Sequence, residues 1–395
     1  MITKTKEPAL KERNFALFDL AFRPLFLCGS IFSIVAIFIW AGIFSGHLHL
    51  NVFGGGLWWH IHEMLFGFVC AIIMGFLLTA VQNWTSQKSI SHFPLLTLVL
   101  LWLSARLALL FPSVLPSWLI SLLDISFLPT AAFFFVHPII KAKLWRNLIF
   151  LPLLIALTLA NVAMHYSVHI EDFSIILPAS KTAVLVVAMI MSIMGGRVIP
   201  MFTANGTGTP KAKEINWLEK GALGSLLLVL IFNSGLISLP NMMNALLLFT
   251  AASFHYIRVI RWRFWITLRT PLVWSLHLSY SFIPTGLLFF GISQISDVIS
   301  TSQAIHTITV GAMGMMILSM ISRVTLGHTG RPIQVGRLMT SAFIIFFLAT
   351  LVRIFGALFT DDNLLIIISS ALFWAGAYAL FVFKYAPILI KKRIK

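Results

Sequence analysis

The chain has 395 residues, of which 59% are hydrophobic and only 10% charged, and its mean hydropathy is +0.96. A soluble domain carries roughly 25% charged residues, so a water-soluble fold is excluded. A formal charge of +16 would ordinarily invite a nucleic-acid reading, but membrane topology explains it without a nucleic acid.

Apolar runs of about twenty residues, broken by polar or Pro/Gly punctuation, recur along the whole chain. They predict helices over 22–45, 61–82, 94–111, 116–137, 148–166, 176–200, 217–237, 240–258, 273–294, 303–326, 337–359 and 364–386. The expected fold is all-α: a polytopic membrane protein with about twelve transmembrane helices. Residues 1–21 are expected to form a cytoplasmic N-terminal segment, 22–390 a single transmembrane domain and 391–395 a basic cytoplasmic tail. The first span lacks a short apolar core followed by a cleavage site, so it is expected to be retained. Basic residues such as Lys4, Lys6, Lys11, Arg13, Lys141, Lys143, Lys211, Lys213, Arg261, Arg331 and Lys392 fall at the termini or in even-numbered loops. Glu171, Asp172, Asp297, Asp361 and Asp362 fall in the odd ones. Because Lys and Arg accumulate on the cytoplasmic side, both termini are expected there. Cys28 and Cys70 lie inside predicted helices and read as small apolar side chains, with no disulfide.

Three cations break the pattern by lying within apolar spans: Arg106, Lys181 and Arg353. Arg106 and Arg353 sit roughly 8 to 9 Å below the outer edge at 1.5 Å rise per residue. Asp124, His60, His62, Glu63 and His306 occupy a similar layer. Intramembrane ionisable groups are functional-site candidates. Either the long side chains reach the interface or pair with Asp124 and Glu63, or the guanidinium groups hold an anionic ligand such as a haem propionate.

Three predicted helices end alike: AIIMGFLLTAVQNWT at Thr85, AMIMSIMGGRVIPMFT at Thr203 and MMILSMISRVTLGHT at Thr329. They close the second, sixth and tenth spans. Counting back from Val81, Val324 and Val198, His62 lies nineteen residues upstream, His306 eighteen and Lys181 seventeen. A threefold repeat of four helices would bring these spans to a common pseudo-axis, with their polar outer ends converging on a shared metal or haem site.

Histidine is the commonest transition-metal ligand and the usual axial ligand of b-type haem. His60 and His62 are about 200° apart on a helix, so one ligates while the other supports it or serves a neighbouring centre. Glu63 is placed to accept from the His62 ring. His277 enters the ninth span from the opposite side and reads equally as a ligand or a satisfied core histidine. His328 reads as a loop hydrogen-bonder. His47, His49, His92, His137, His165, His169 and His255 read as exposed or interfacial. Met313, Met315, Met316 and Met320 form a stripe that reads as packing, although thioethers suit copper(I). No GxxxxGK[ST], HExxH or CxxC motif occurs, which disfavours nucleotide hydrolysis, zincin proteolysis and thioredoxin-like chemistry.

LAFRPLFLCG around Arg23, LWWHIHEMLFGF at 57–68, GFLLTAVQNWT at 75–85, MGGRVIPMFT at 194–203 and HTITVGAMGMMILSMISRVTLGHTGRP at 306–332 resemble the signature segments of the NnrS family. The resemblance implies a multi-pass protein of the bacterial cytoplasmic membrane that contains haem, of b type, and copper. It also implies binding or detoxification of nitric oxide under nitrosative stress. His60, His62 and His306 are then the expected haem or metal ligands, with His277 a further metal candidate and Arg106 and Arg353 near propionates. Twelve helices in three sets of four are similar in architecture to the catalytic subunit of haem-copper oxidases, but the adjacent His-His pair of that family is missing. Two other classes compete: a transporter for a metal or small anion, with Gly195-Gly196 and Pro200 as a candidate break, and a non-catalytic haem or copper sensor or assembly factor.

Overall fold

In lipid every backbone N–H and C=O must find a partner within the protein, which leaves apolar segments of this length little choice but helix. The computed structural model describes residues 15–394. Residues 1–14, with Lys4, Lys6, Lys11 and Arg13 of the expected N-terminal segment, and Lys395 of the tail lie outside the described residues. The described chain is all-α. Its rods are α1 (Phe22–Phe44), α2 (Gly56–Thr85), α3 (His92–Leu110), α4 (Ser117–Lys141), α5 (Phe150–His169), α6 (Ile176–Thr207), α7 (Asn216–Asn233), α8 (Asn241–Arg261), α9 (Pro271–Ile292), α10 (Thr301–His328), α11 (Arg337–Phe355) and α12 (Asn363–Ile390).

Eleven of these rods are long and apolar enough to cross a membrane. The exception is α7, whose 18 residues open on Asn216, Glu219 and Lys220 and close on Asn233. Chain neighbours pack side by side, and α12 returns to lie against α1. The two ends of the domain are tied together there. Ala16 N–H donates to the Ile390 carbonyl at 2.8 Å, and the Arg23 guanidinium donates to the carbonyls of Leu389 and Lys391, each at 2.7 Å. Arg23 thereby satisfies carbonyls that the end of α12 would leave without partners. This end of the bundle is the near face below, and the opposite end the far face.

Three rods form the centre. In the apolar stretches of α2, α6 and α10, 83%, 78% and 78% of residues are buried, against 33% in α1 and 44% in α5 or α12. Side chains from α2, α6 and α10 line one common cavity, so the helices with matching sequence ends do share a central space. Two of them also widen locally. A π-helical stretch runs over Glu63–Val69 in α2 and over Thr307–Gly314 in α10, each beginning at the residue after a candidate histidine, His62 or His306. Such widenings are rare and concentrate at functional sites.

Several helix ends differ from the sequence expectation, most of all the start of the second helix and the end of the sixth. The second helix begins at Gly56 rather than 61, because Gly54 and Gly55 take φ of +70° and +82° and turn the chain into the helix earlier. His60 is therefore helical. The sixth helix does not break at Gly195-Gly196 or Pro200. It continues to Thr207 and stops where Gly208 adopts φ of +66°. Pro200 is buried among neighbouring helices, which tolerate its one missing hydrogen bond.

Replacing Arg23 with Met removes both charged hydrogen bonds to the end of α12 and is expected to cost about 2 kcal/mol or more. Thermal unfolding in detergent checks this, with a lowered Tm and an unchanged helical spectrum as the expected result.

Candidate metal centre

Helices α2 to α5 bury a polar cluster near the far face. From α2, His62 directs Nδ1 at Glu63 Oε1 (3.3 Å) and Nε2 at Asp124 Oδ2 of α4 (3.0 Å) and Asn161 Oδ1 of α5 (2.8 Å). From α5, His165 directs Nε2 at the same Asp124 oxygen, also at 3.0 Å, and Asn161 donates Nδ2–H to it at 2.8 Å. From α3, Arg106 donates Nη1–H to Glu63 Oε2 at 2.8 Å and Nη2–H to Asp124 Oδ1. His62 and Glu63 are 0% exposed and none of the six exceeds 4%.

Local sequence explains how these groups reach one another. The His62 ring stacks on Trp58 at 4.5 Å and 7°, and the Trp58 indole N–H is anchored on the Met164 carbonyl at 2.9 Å. One turn into the π-helical stretch, Gly67 leaves room for the guanidinium: a Cβ there would meet Arg106 Nη1, Glu63 Oε2 and the Phe32 ring. The Gly67 carbonyl accepts from the Trp102 indole at 2.8 Å. On α5, Asn161 and His165 are four residues apart and so share a face.

Two features of the cluster call for an additional positive charge. Both ring nitrogens of His62 face oxygen acceptors, whereas a neutral imidazole has a single N–H to donate. Two carboxylates, Glu63 and Asp124, also meet a single guanidinium, and a buried uncompensated charge is costly. A proton or a metal ion restores the balance. The donor set suits a metal: His62, His165 and Asp124 offer ligand atoms within 4.8 Å of one another. At metal–ligand distances near 2.0–2.2 Å, neighbouring donors of a tetrahedral shell lie roughly 3.3–3.6 Å apart, close to the observed 3.0 Å separations. Glu63 then stands behind His62 as the carboxylate that orients a ligating imidazole, and Arg106 fixes Glu63.

His60 points elsewhere. It stacks on Trp40 of α1 at 4.4 Å and 12°. His306 holds its Nδ1–H on the Ser302 carbonyl at 2.7 Å, so its lone pair lies on Nε2, 3.3 Å from Arg353 Nη2. Arg353 and His306 both lie within electrostatic range of His60. These three side chains are half-buried, and no carboxylate among the described residues forms an ion pair with Arg353. The two histidines of WWHIHE thus serve two different places, as their angular separation requires.

A third cluster lies toward the near face in α6 to α9. Arg258 binds Glu219 through Nε (3.1 Å) and Nη2 (2.7 Å) and donates to Ser192 Oγ (2.8 Å) and to the Tyr280 hydroxyl. Tyr280 in turn contacts His255 Nδ1 at 2.8 Å. Gly195 and Gly196 make this possible, since Cβ atoms there would strike Tyr280 and Arg258. One cation meets one carboxylate, so this cluster is balanced.

The family model described as "NnrS protein" matches residues 16–393, nearly the whole chain. The chain belongs to the NnrS family. It is accordingly a multi-pass membrane protein of the nitric oxide response. No curated protein matches it.

In this NnrS chain the polar far-face ends of α2, α6 and α10 do not all meet. His62 and His306 belong to separate sites, and Lys181 lies over the Phe290 ring at 5.9 Å. Arg106 is paired with Glu63 and Asp124 instead of standing free for a propionate, because the carboxylates reach it first. His165 and His255, expected at exposed or interfacial positions, are buried, at 1% and 0% exposure. Their helices extend several residues beyond the predicted ends on α5 and α8, which draws them inside. His277 is held by Thr203 Oγ1 at 2.8 Å and packs on Trp262, apart from both far-face sites. His328 is the last residue of α10 and lies against Phe22. The sequence suggests Asp124 as a partner for the cations but does not single out Asn161 or His165. Their spacing of four on one helix was the available signal.

Arg106→Leu leaves two buried carboxylates without their cation and is expected to cost about 3–5 kcal/mol. Gly67→Ala should move Tm in the same direction by displacing the guanidinium. Arg353→Leu breaks no carboxylate pair and should cost distinctly less in the same thermal unfolding assay.

Proposed function

We propose that this NnrS protein binds nitric oxide at a metal-containing site in the outer half of the bacterial cytoplasmic membrane, both termini being cytoplasmic, and so protects against nitrosative stress. The observation that carries the reading is the His62 ring, both of whose nitrogens face oxygens in a buried cluster with a surplus carboxylate. His62, His165 and Asp124 would hold a copper ion, with Asn161 beside it. His306, whose Nδ1–H is committed to the Ser302 carbonyl, would ligate a b-type haem through Nε2 once Arg353 Nη2, 3.3 Å from that nitrogen, turns to the haem's own anionic groups. His60 lies within electrostatic range of the same pair, and Arg353 would supply a cation for a propionate. Bound there, the haem would supply an iron able to take up nitric oxide, and the copper ion would supply one-electron redox chemistry.

The chain's own residues do the rest. Trp58 and Trp40 fix the planes of His62 and His60 by stacking. Glu63 holds the Nδ1 proton of His62 and keeps Nε2 directed at Asp124. Arg106 prevents the two carboxylates from repelling each other. The apolar walls of α2, α6 and α10 keep bulk water away.

The transporter alternative draws support from broken helices and from cations lining a path. Here α6 runs unbroken through Pro200, Arg106 is locked to two carboxylates, and the space between the central helices is apolar. A sensor or assembly factor that hands its cofactor on would retain it poorly.

Elemental analysis and optical spectra of the detergent-purified protein, reduced and exposed to nitric oxide, test the proposal. About one haem and one copper per chain are expected, with a Soret band that shifts on nitric oxide. His306→Ala should abolish the haem band and keep copper, whereas His165→Ala should lose copper and keep haem. A protein free of both, or unchanged spectra and metal content in both variants, contradicts the proposal.

A further inference from the structure

The cavity shared by the three central helices is a site in its own right. It is partly open and offers about 90 Å³, and Val69 and Ile72 of α2, Met191 and Met194 of α6, and Met316 and Met320 of α10 contribute to its wall. Every lining residue is apolar. Water needs two to four polar partners to occupy such a space, and an apolar cavity of comparable size stays dry while admitting benzene or xenon. A charged occupant would be strongly disfavoured in such surroundings. Ligand pockets for drug-sized molecules start near 300 Å³, so a porphyrin does not fit. What fits is small, neutral and apolar.

The position of the cavity adds to this. Val69 is the last residue of the π-helical stretch that starts at Glu63, and Met316 lies two residues past the end of the stretch that starts after His306. Along α2, the seven residues from His62 to Val69 span roughly 10 Å at 1.5 Å rise. The cavity therefore adjoins the inner ends of the two widened segments whose outer ends carry His62 and His306. Four thioethers provide a soft, polarizable wall that favours dispersion contact with a small guest.

We propose that this central cavity is a holding site for a neutral apolar diatomic gas, nitric oxide or dioxygen, at the inner end of the two histidine-bearing segments. The choice of nitric oxide rests on the functional reading above; the chemistry of the guest rests on the cavity itself. A gas that partitions into lipid accumulates there and approaches the far-face site along protein that excludes water.

Xenon is the probe. The full-length protein carrying methyl-labelled methionine is followed by NMR under increasing xenon pressure, and signals are assigned by single Met→Leu substitutions. The expected result is saturable shifts at Met191, Met194, Met316 and Met320. Met242 and Met243, 60% and 55% exposed on α8, should show only a linear drift from xenon dissolved in detergent. Ile190→Phe, a lining position, should fill the space and abolish the saturable component, and Val187→Leu should weaken it if the larger change prevents folding. Linear drift at all methionines, or saturable shifts that survive in the filled variants, overturns the proposal. An acyl chain seated between these helices would likewise overturn it. The readout needs neither haem nor copper, so a failed xenon test leaves the metal site standing, and a metal-free protein leaves the cavity standing.

Discussion

Two carboxylates and one guanidinium buried together in a membrane bundle impose a constraint that much of this structure serves. Glu63 and Asp124 each need a partner, and Arg106 can reach both only because Gly67 presents no Cβ and the π-helical stretch of α2 widens the helix at that level. Trp102 takes the Gly67 carbonyl, and Trp58 fixes the imidazole between the two acids. Each of these features is local. Together they determine how α2, α3, α4 and α5 must pack.

Arg258, Arg106 and Arg353 stand in contrasting charge environments. Arg258 meets one carboxylate, Glu219, in a bidentate pair seated on Gly195-Gly196. That cluster is electrically complete, so its natural role is to hold α6, α7, α8 and α9 together. Arg106 faces one carboxylate too many, which leaves space in the balance for a cation. Arg353 pairs with no carboxylate among the described residues and stands 3.3 Å from the His306 ring, which suits an anionic group on a bound ligand. The same residue type thus sits in three different charge environments, and only the count of neighbouring acids distinguishes them.

Much of the fold was readable because lipid leaves helices as the only solution and hydropathy reports them. All twelve rods, including the weakly apolar α7, appear near their expected places. The matching ends of α2, α6 and α10 correctly picked out the central helices, since a helix without a lipid-facing side carries small and polar residues in register. Side-chain destinations were harder to read. The angular argument separated His60 from His62, but nothing in the linear pattern said that His62 would turn toward α4 and α5. His165 and His255 were hidden by predicted helix ends that fell short by a few residues. Pro200 looked like a break because the rule for water-exposed helices does not carry over to a proline packed among buried neighbours.

The central claim is that a metal ion, rather than a proton alone, balances the cluster around His62. X-ray absorption at the copper edge of the purified protein tests it most directly. A first shell of nitrogen and oxygen donors near 2.0 Å with the multiple-scattering pattern of two imidazoles, lost in His165→Ala, is the predicted result. A copper-free protein, or copper bound only by sulfur, would contradict it and leave His62 as a protonated partner of Glu63 and Asp124.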